Sequence, residues 1–145
     1  MSQSLPQSAC VLVQSEDGKL VLGVSRKDDK NAFGLPGGKV DPGETPEEAA
    51  ERELLEETGF TVFDLHEVYA APDAHGYYCV TFTGVALGEV NTEEEGRVAW
   101  LHPKEFIKGP FGDYIKNLFE VVGIDYRDPD LKPAWRKKPQ VPQFE

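Results

Sequence analysis

The stretch Gly38-Lys39-Val40-Asp41-Pro42-Gly43-Glu44, running on to Arg52-Glu53-Leu54-Leu55-Glu56-Glu57-Thr58-Gly59-Phe60, decides the reading of this chain. Asp41-Pro42-Gly43 is a turn signal. Thr45 is a good N-cap, and Pro46 stands at the first helical position, where its missing N–H costs nothing. Glu48 completes a capping box with Thr45, and Glu47 and Glu48 sit at the positive end of the helix dipole. The predicted helix runs to about Thr58, with Gly59 as a left-handed cap. At about 100° per residue, Glu53, Glu56 and Glu57 share an arc of about 100°. Ala50 and Leu54 fall on the neighbouring side and are expected to pack on a sheet.

Three carboxylates on one helical face repel one another. A divalent cation removes that cost, and Mg²⁺ favours oxygen ligands together with waters and substrate phosphates. Arg52 borders the arc and can hold the glutamates by bidentate pairing, which a lysine fits less well. Glu44 can bond into the glycine loop or reach a metal through water. Gly37 and Gly38 let the backbone approach a ligand closely, and a carbonyl there is a further candidate metal ligand. Glu47, Glu48 and Glu51 read as an ordinary solvated helix face.

Strands are expected on both sides of this helix. Ala9 to Gln14 and Lys19 to Arg26 read as a hairpin about Glu16-Asp17-Gly18, followed by a polar loop at Lys27 to Asn31. Val62 to Ala71 and Tyr77 to Leu87 are strand-like, joined by a loop over Pro72 to Gly76. An acidic loop spans Glu89 to Gly96, and Arg97 to Leu101 is a short strand. Pro103 to Phe106 suggests one helical turn. Phe111 to Val122 is an amphipathic helix, with Ile115, Leu118, Phe119 and Val122 at helical spacing. The order implies an α/β fold with a mixed sheet between helices. Residues 1–124 are expected to form one domain and 125–145 an extended, proline-rich tail, pinned to the domain by Trp135 or Phe144.

The 145 residues carry a formal net charge of −11, from 26 acidic and 15 basic residues. Such a surface disfavours long nucleic acid and anionic membrane, and the short basic run Arg136-Lys137-Lys138 does not reverse it. A small phosphorylated ligand remains compatible, because a bound metal inverts the local field. No stretch approaches the roughly 20 apolar residues of a membrane span, and no secretion signal is evident, so a cytoplasmic protein is expected. Cys10 and Cys79 each lie in an apolar run and read as free, buried thiols in a reducing compartment. His66, His75 and His102 have no metal-ligand spacing, so a zinc site is not expected; His75 reads as a loop histidine. Ser25 has no recognisable partner for a nucleophilic role and reads as a strand residue.

The residues from Gly38 to Phe60 resemble the Nudix hydrolase signature, Gly, five residues, Glu, seven residues, then Arg-Glu-U-X-Glu-Glu-X-Gly-U, where U is a bulky apolar residue. Gly38, Glu44, Arg52, Glu53, Leu54, Glu56, Glu57, Gly59 and Phe60 meet it without departure. Leu35-Pro36-Gly37 is also similar to the family. The resemblance implies an α/β/α sandwich and Mg²⁺- or Mn²⁺-dependent hydrolysis of a nucleoside diphosphate linked to a group X. It implies that Glu53, Glu56 and Glu57 hold the metals, with the Gly38 carbonyl contributing and Glu56 or Glu57 as the main ligand. Glu53 is then a candidate for orienting or deprotonating the attacking water. Some members draw a base from a later loop, which brings in Glu93, Glu94 and Glu95, with Glu94 the central candidate.

Metals would polarise the phosphoryl oxygens and acidify bound water for in-line attack. Arg26 and Lys39 are candidate cations for the terminal phosphates. Phe33, Tyr77 and Tyr78 are candidates for base recognition, although adjacent tyrosines on a strand point to opposite faces, so at most one lines a pocket. The expected partner is a small-molecule nucleotide, and the expected assembly a monomer or homodimer. A nucleoside triphosphate or modified nucleotide, giving a nucleoside monophosphate and pyrophosphate, is the leading substrate. A dinucleoside polyphosphate is the alternative that a downstream tyrosine favours. ADP-ribose or a nucleotide sugar ranks lower, because Pro72 is misplaced for that class. A non-catalytic nucleotide-binding module ranks last, since no signature glutamate is missing.

Overall fold

Ala9, Val11 and Val13 point to one side of the first strand and Cys10 and Leu12 to the other, and this alternation divides the interior into two cores. The computed structural model describes residues 6–26, 29–89, 98–109 and 111–127, with only the backbone described at 26 and 29–31. The strands are β1 (Gln7–Val11), β2 (Val21–Arg26), β3 (Asp29–Gly34), β4 (Gly37–Lys39), β5 (Thr61–Pro72), β6 (Tyr78–Leu87) and β7 (Val98–Leu101). The helices are α1 (Pro46–Thr58) and α2 (Gly112–Val122), with a 3-10 turn at Pro103–Glu105.

A four-stranded sheet has the order β4-β1-β6-β5, and a three-stranded antiparallel sheet the order β3-β2-β7. The first sheet is mixed: β1 runs parallel to β6 and antiparallel to β4. Ala49, Ala50 and Leu54 of α1 close one core with Ala9, Val11, Phe60 and Phe82. Tyr114, Ile115, Leu118 and Phe119 of α2 close the other with Cys10, Leu12 and Phe106. The result is an α/β/α sandwich.

Helix α1 begins and ends as its sequence requires. Thr45 accepts from the Glu48 N–H, Glu48 accepts from the Thr45 N–H, and Gly59 takes φ 84° while its N–H bonds Leu55 O. The turn before it closes through Glu44 N–H donating to Asp41 O at 3.0 Å.

Two local expectations change. The first two strands do not form a full hairpin, because β1 has both edges occupied, by β4 and β6. What remains of its backbone pairing includes the Gln14–Val21 bridge and the bonds Ser15 N to Leu20 O and Leu22 N to Val13 O. The polar segment before Phe33 is not wholly a loop, since Asp29 pairs with Arg26 after a register shift and opens β3. The expected acidic loop from Glu89 to Gly96 lies outside the described residues beyond Glu89, and with it Glu93, Glu94 and Glu95, as do Trp135, Phe144 and the basic run at 136–138. Tyr126 stacks on Phe119 with ring centroids 6.4 Å apart, so the chain just after α2 is still packed on the domain.

Candidate functional site

Strand β4 lies between two differently built regions, with α1 on one side and an apolar cavity on the other. Arg52 organises the α1 side. Its Nε and Nη2 donate to the two carboxylate oxygens of Glu44 at 2.7 and 3.0 Å, a bidentate clamp. Its Nη1 donates to Glu53 at 3.1 Å and to Glu56 at 3.3 Å. Nη2 also donates to the Lys39 carbonyl at 3.2 Å and lies 3.4 Å from Asp41. One guanidinium therefore ties the glycine turn to the acidic face. Glu44 in turn accepts from the Asp41 N–H at 2.9 Å. The Arg52 guanidinium, followed by this N–H, holds the Glu44 carboxyl below the usual carboxylate range.

Glu53 and Glu56 differ in setting. The Glu53 side chain is 17% exposed against 58% for Glu56, so Glu53 is enclosed where Glu56 meets solvent. Burial pushes the Glu53 carboxyl up, and Glu56 adds to this while Arg52 opposes it. Glu53 lies directly over Gly38: a Cβ at that glycine would come within 2.6 Å of the Glu53 Cδ and closer still to Oε2. Glu57 accepts from the Gly37 N–H at 2.9 Å. The two glycines thus serve different ends, Gly38 by leaving room and Gly37 by donating.

Every candidate donor here is a carboxylate or carbonyl oxygen, a chemistry suited to Mg²⁺ or Mn²⁺ rather than to soft metals. Among the described residues, no three His, Cys, Asp or Glu side chains converge closely enough to hold an ion. Glu53 and Glu56 are turned onto Arg52 and Glu57 onto Gly37.

On the other side of β4 is a cavity of about 330 Å³. It is lined by β4 and Leu35, by Asp73, His75 and Tyr77 of the loop before β6, by Cys10 and Cys79, and by Phe111, Tyr114 and Ile115 at the start of α2. His75 packs against Phe111 with ring centroids 4.6 Å apart. Asp73 fixes the loop by accepting from the N–H groups of His75 and Tyr77 at 2.8 and 3.0 Å. Tyr114 OH donates to Cys79 O at 3.0 Å and meets Thr81 Oγ1 at 2.7 Å.

Of the residues singled out from sequence, Gly38, Glu53, Glu56, Glu57, Arg52 and Lys39 gather around β4. Lys39 Nζ lies 5.7 Å from the centroid of the Tyr77 ring, in cation–π contact. Tyr77 lines the cavity from the loop just before β6, whereas Tyr78, the first residue of β6, does not and is 37% exposed. Phe33 packs against the α2 core instead of lining the cavity. The Arg26 side chain and Glu94 lie outside the described residues. Sequence reasoning did not single out Leu35, Asp73, Phe111 or Tyr114 as cavity residues. The helical period marked α2 as apolar, but no local signal separates a cavity-lining first turn from ordinary core.

A family model described as the NUDIX domain matches residues 4–120. Among curated proteins, an 8-oxo-dGTP diphosphatase of Haemophilus influenzae is 38% identical over 66 residues, 44% of this chain and 48% of its own length. An ADP-ribose pyrophosphatase of Methanocaldococcus jannaschii is 39% identical over 92 residues, 58% of this chain and 54% of its own length. The chain thus spans about half the length of these curated relatives. A solved structure of MutT, from work on Aliivibrio salmonicida and Vibrio cholerae, superposes with a TM-score of 0.65 at 21% identity, covering 81% of this chain and 97% of the other.

Proposed function

Because the chain belongs to the Nudix family, we propose that it is a Mg²⁺- or Mn²⁺-dependent hydrolase of a nucleoside diphosphate linked to X. The preferred substrate is a nucleoside triphosphate or modified nucleotide, cleaved to the monophosphate and pyrophosphate. The observation that carries this reading is the joining of two parts across β4. The acidic face clamped by Arg52 lies on one side, and a cavity of about 330 Å³, within the usual range for small-ligand pockets, on the other. A nucleotide has the same two parts, a polyphosphate and a flat base.

Glu53, Glu56, Glu57 and the Gly38 carbonyl are assigned to the metal. The bound cation would supply charge neutralisation of the phosphates and an acidified water. Arg52 sets the rotamers of Glu53 and Glu56 and ties them to the turn through Glu44 and the Lys39 carbonyl. Glu53, enclosed and raised by burial, is the assigned proton acceptor for the attacking water, with Glu94 as the other candidate. Lys39, with Arg26, is assigned to phosphate charge, and Tyr77 with the His75–Phe111 pair to the base. The net charge of −11 favours a small nucleotide over long nucleic acid.

Tyr77 in the cavity wall keeps one second reading in view, a dinucleoside polyphosphate substrate. A panel of nucleotides assayed with Mg²⁺, with Glu56→Gln and Glu57→Gln as controls, decides between them. Monophosphate and pyrophosphate from triphosphates support the first reading, and turnover of dinucleoside polyphosphates alone the second. Nucleotide binding without turnover across the panel would overturn both.

A further inference from the structure

Cys10 and Cys79 take no part in the proposed hydrolysis, yet both line the cavity. They are free thiols on the neighbouring parallel strands β1 and β6, with Sγ atoms 3.8 Å apart. We propose that this pair is a modification site for a small hydroperoxide entering the cavity, which converts it to a Cys10–Cys79 disulfide and reversibly disables the carboxylate site.

The environment assigns the two sulfurs different parts. The 3.8 Å contact with Cys10 is the largest influence lowering the Cys79 thiol, and Cys79 is assigned as the attacking sulfur. Cys10 keeps its proton, pushed up first by the same contact and then by burial. The Cys79 thiolate attacks the peroxide, taking one oxygen as sulfenic acid and releasing hydroxide or alkoxide. Cys10 sulfur then displaces that oxygen as water and forms the S–S bond. Two thiols lose two electrons and two protons, and the peroxide is reduced to water and, for an organic peroxide, an alcohol. The Cys10 proton leaves on the displaced oxygen as that water, and Thr81 Oγ1, 3.1 Å from Cys10 Sγ and hydrogen-bonded to Tyr114 OH, holds the Cys10 sulfur in place.

The strand register links this chemistry to the α1 side. Cys79 lies opposite Ser8 and Cys10 opposite Thr81, so the thiols meet on a diagonal. The Sγ atoms must close from 3.8 Å to the roughly 2.05 Å of a disulfide. Paired strands already lie about 4.8 Å apart, so bond closure pulls β1 along β6 rather than toward it. Cys10 also pairs with Gly37 on its other edge, so close that a Cβ on that glycine would lie 2.6 Å from the Cys10 Cβ. Gly37 N–H is the group that holds Glu57. A shift of β1 thus reaches a carboxylate assigned to the metal.

The test treats the reduced full chain with hydrogen peroxide and follows intact mass, a non-reducing peptide map and nucleotide hydrolysis. Loss of two hydrogens, a Cys10–Cys79 linked peptide and a fall in hydrolysis of about tenfold or more, restored by dithiothreitol, is the expected result. Cys10→Ser should stop at a Cys79 sulfenic acid that dimedone traps, and Cys79→Ser should leave Cys10 reduced. Sulfinic acid at Cys79 with Cys10 unlinked, or a linkage that leaves hydrolysis unchanged, would overturn the proposal. The fall in hydrolysis rests on the nucleotide-hydrolase reading, but the linkage does not. If the reduced protein turned over no nucleotide, that reading would fail, while the peptide map would still decide whether the dithiol forms.

Discussion

The two sides of β4 are built on opposite plans. The acidic side comes from one contiguous segment, in which Arg52 reaches Asp41, Glu44, Glu53, Glu56 and the Lys39 carbonyl. The cavity side is assembled from β1, β4, the loop before β6, β6 itself and the first turn of α2. The first is polar and held by directed bonds, the second mostly apolar and held by packing. The chemistry assigned to this chain is thus local in sequence, while the surface assigned to substrate choice is not. Turnover and selectivity should therefore respond to different substitutions.

The largest separation is expected at Glu53. Glu53→Gln should lower kcat by about 10²–10⁴-fold while leaving nucleotide KM nearly unchanged. The same substitution should raise the metal-free Tm at pH 7. Burial lifts the Glu53 carboxyl in the fold. A group so raised stabilises the fold below its unfolded pKa and loses that contribution as pH rises through its folded pKa. Its ionised form is then a net cost at neutral pH, which the neutral amide removes. A lower metal-free Tm in Glu53→Gln, measured by calorimetry, would break the claim that the acidic side is strained for function.

Gly38→Ala should injure the acidic side by crowding alone. The added methyl must push aside the Glu53 carboxylate, the flexible end of its side chain, so the stability lost in urea unfolding should be small, under about 1 kcal/mol. It should depress kcat more than KM, whereas an equal change in both would mean that the turn also shapes the cavity. On the cavity side, Phe111→Ala should raise KM for a purine nucleotide by about tenfold with kcat held, as expected for a lost stacking partner. A kcat effect of the same size would blur the contrast between the two sides.

How much of this was legible in the sequence follows the same division. The capping box at Thr45 and Glu48, the left-handed Gly59 and the spacing of Glu53, Glu56 and Glu57 are local facts, and the acidic side could be placed from them. Adjacent tyrosines were expected to diverge, and they do, but Tyr77 reaches the cavity from the loop before β6 and only Tyr78 belongs to the strand. Phe33 had the composition of a stacking residue, yet the pairing of β3 with β2 seats it in the α2 core. Phe111, Asp73 and Leu35 meet only after the sheet has formed and α2 has packed onto it. The local turn signal favours a β1–β2 hairpin, but β1 pairs instead in parallel with the distant β6, a pairing that leaves no local trace.

The smallest effect is expected at Glu44. Its carboxyl is held low by Arg52 and the Asp41 N–H. Such a group contributes stability above its unfolded pKa, about 4.3, and loses it as pH falls through the lower folded value. Glu44→Gln should flatten the acid limb of a Tm–pH profile slightly and lower Tm modestly at neutral pH. An unchanged acid limb would show that the clamp positions Arg52 without helping to hold the fold.

Strand β1 carries a consequence for how the molecule opens. It is hydrogen-bonded along both edges and covered on both faces, with Val11 N–H on Pro36 O and Leu12 N–H on Phe82 O. Deuterium can reach these amides only when both cores come apart together, so their exchange should report the global unfolding free energy. Strand β5, at the sheet margin, can exchange through local fraying at lower cost.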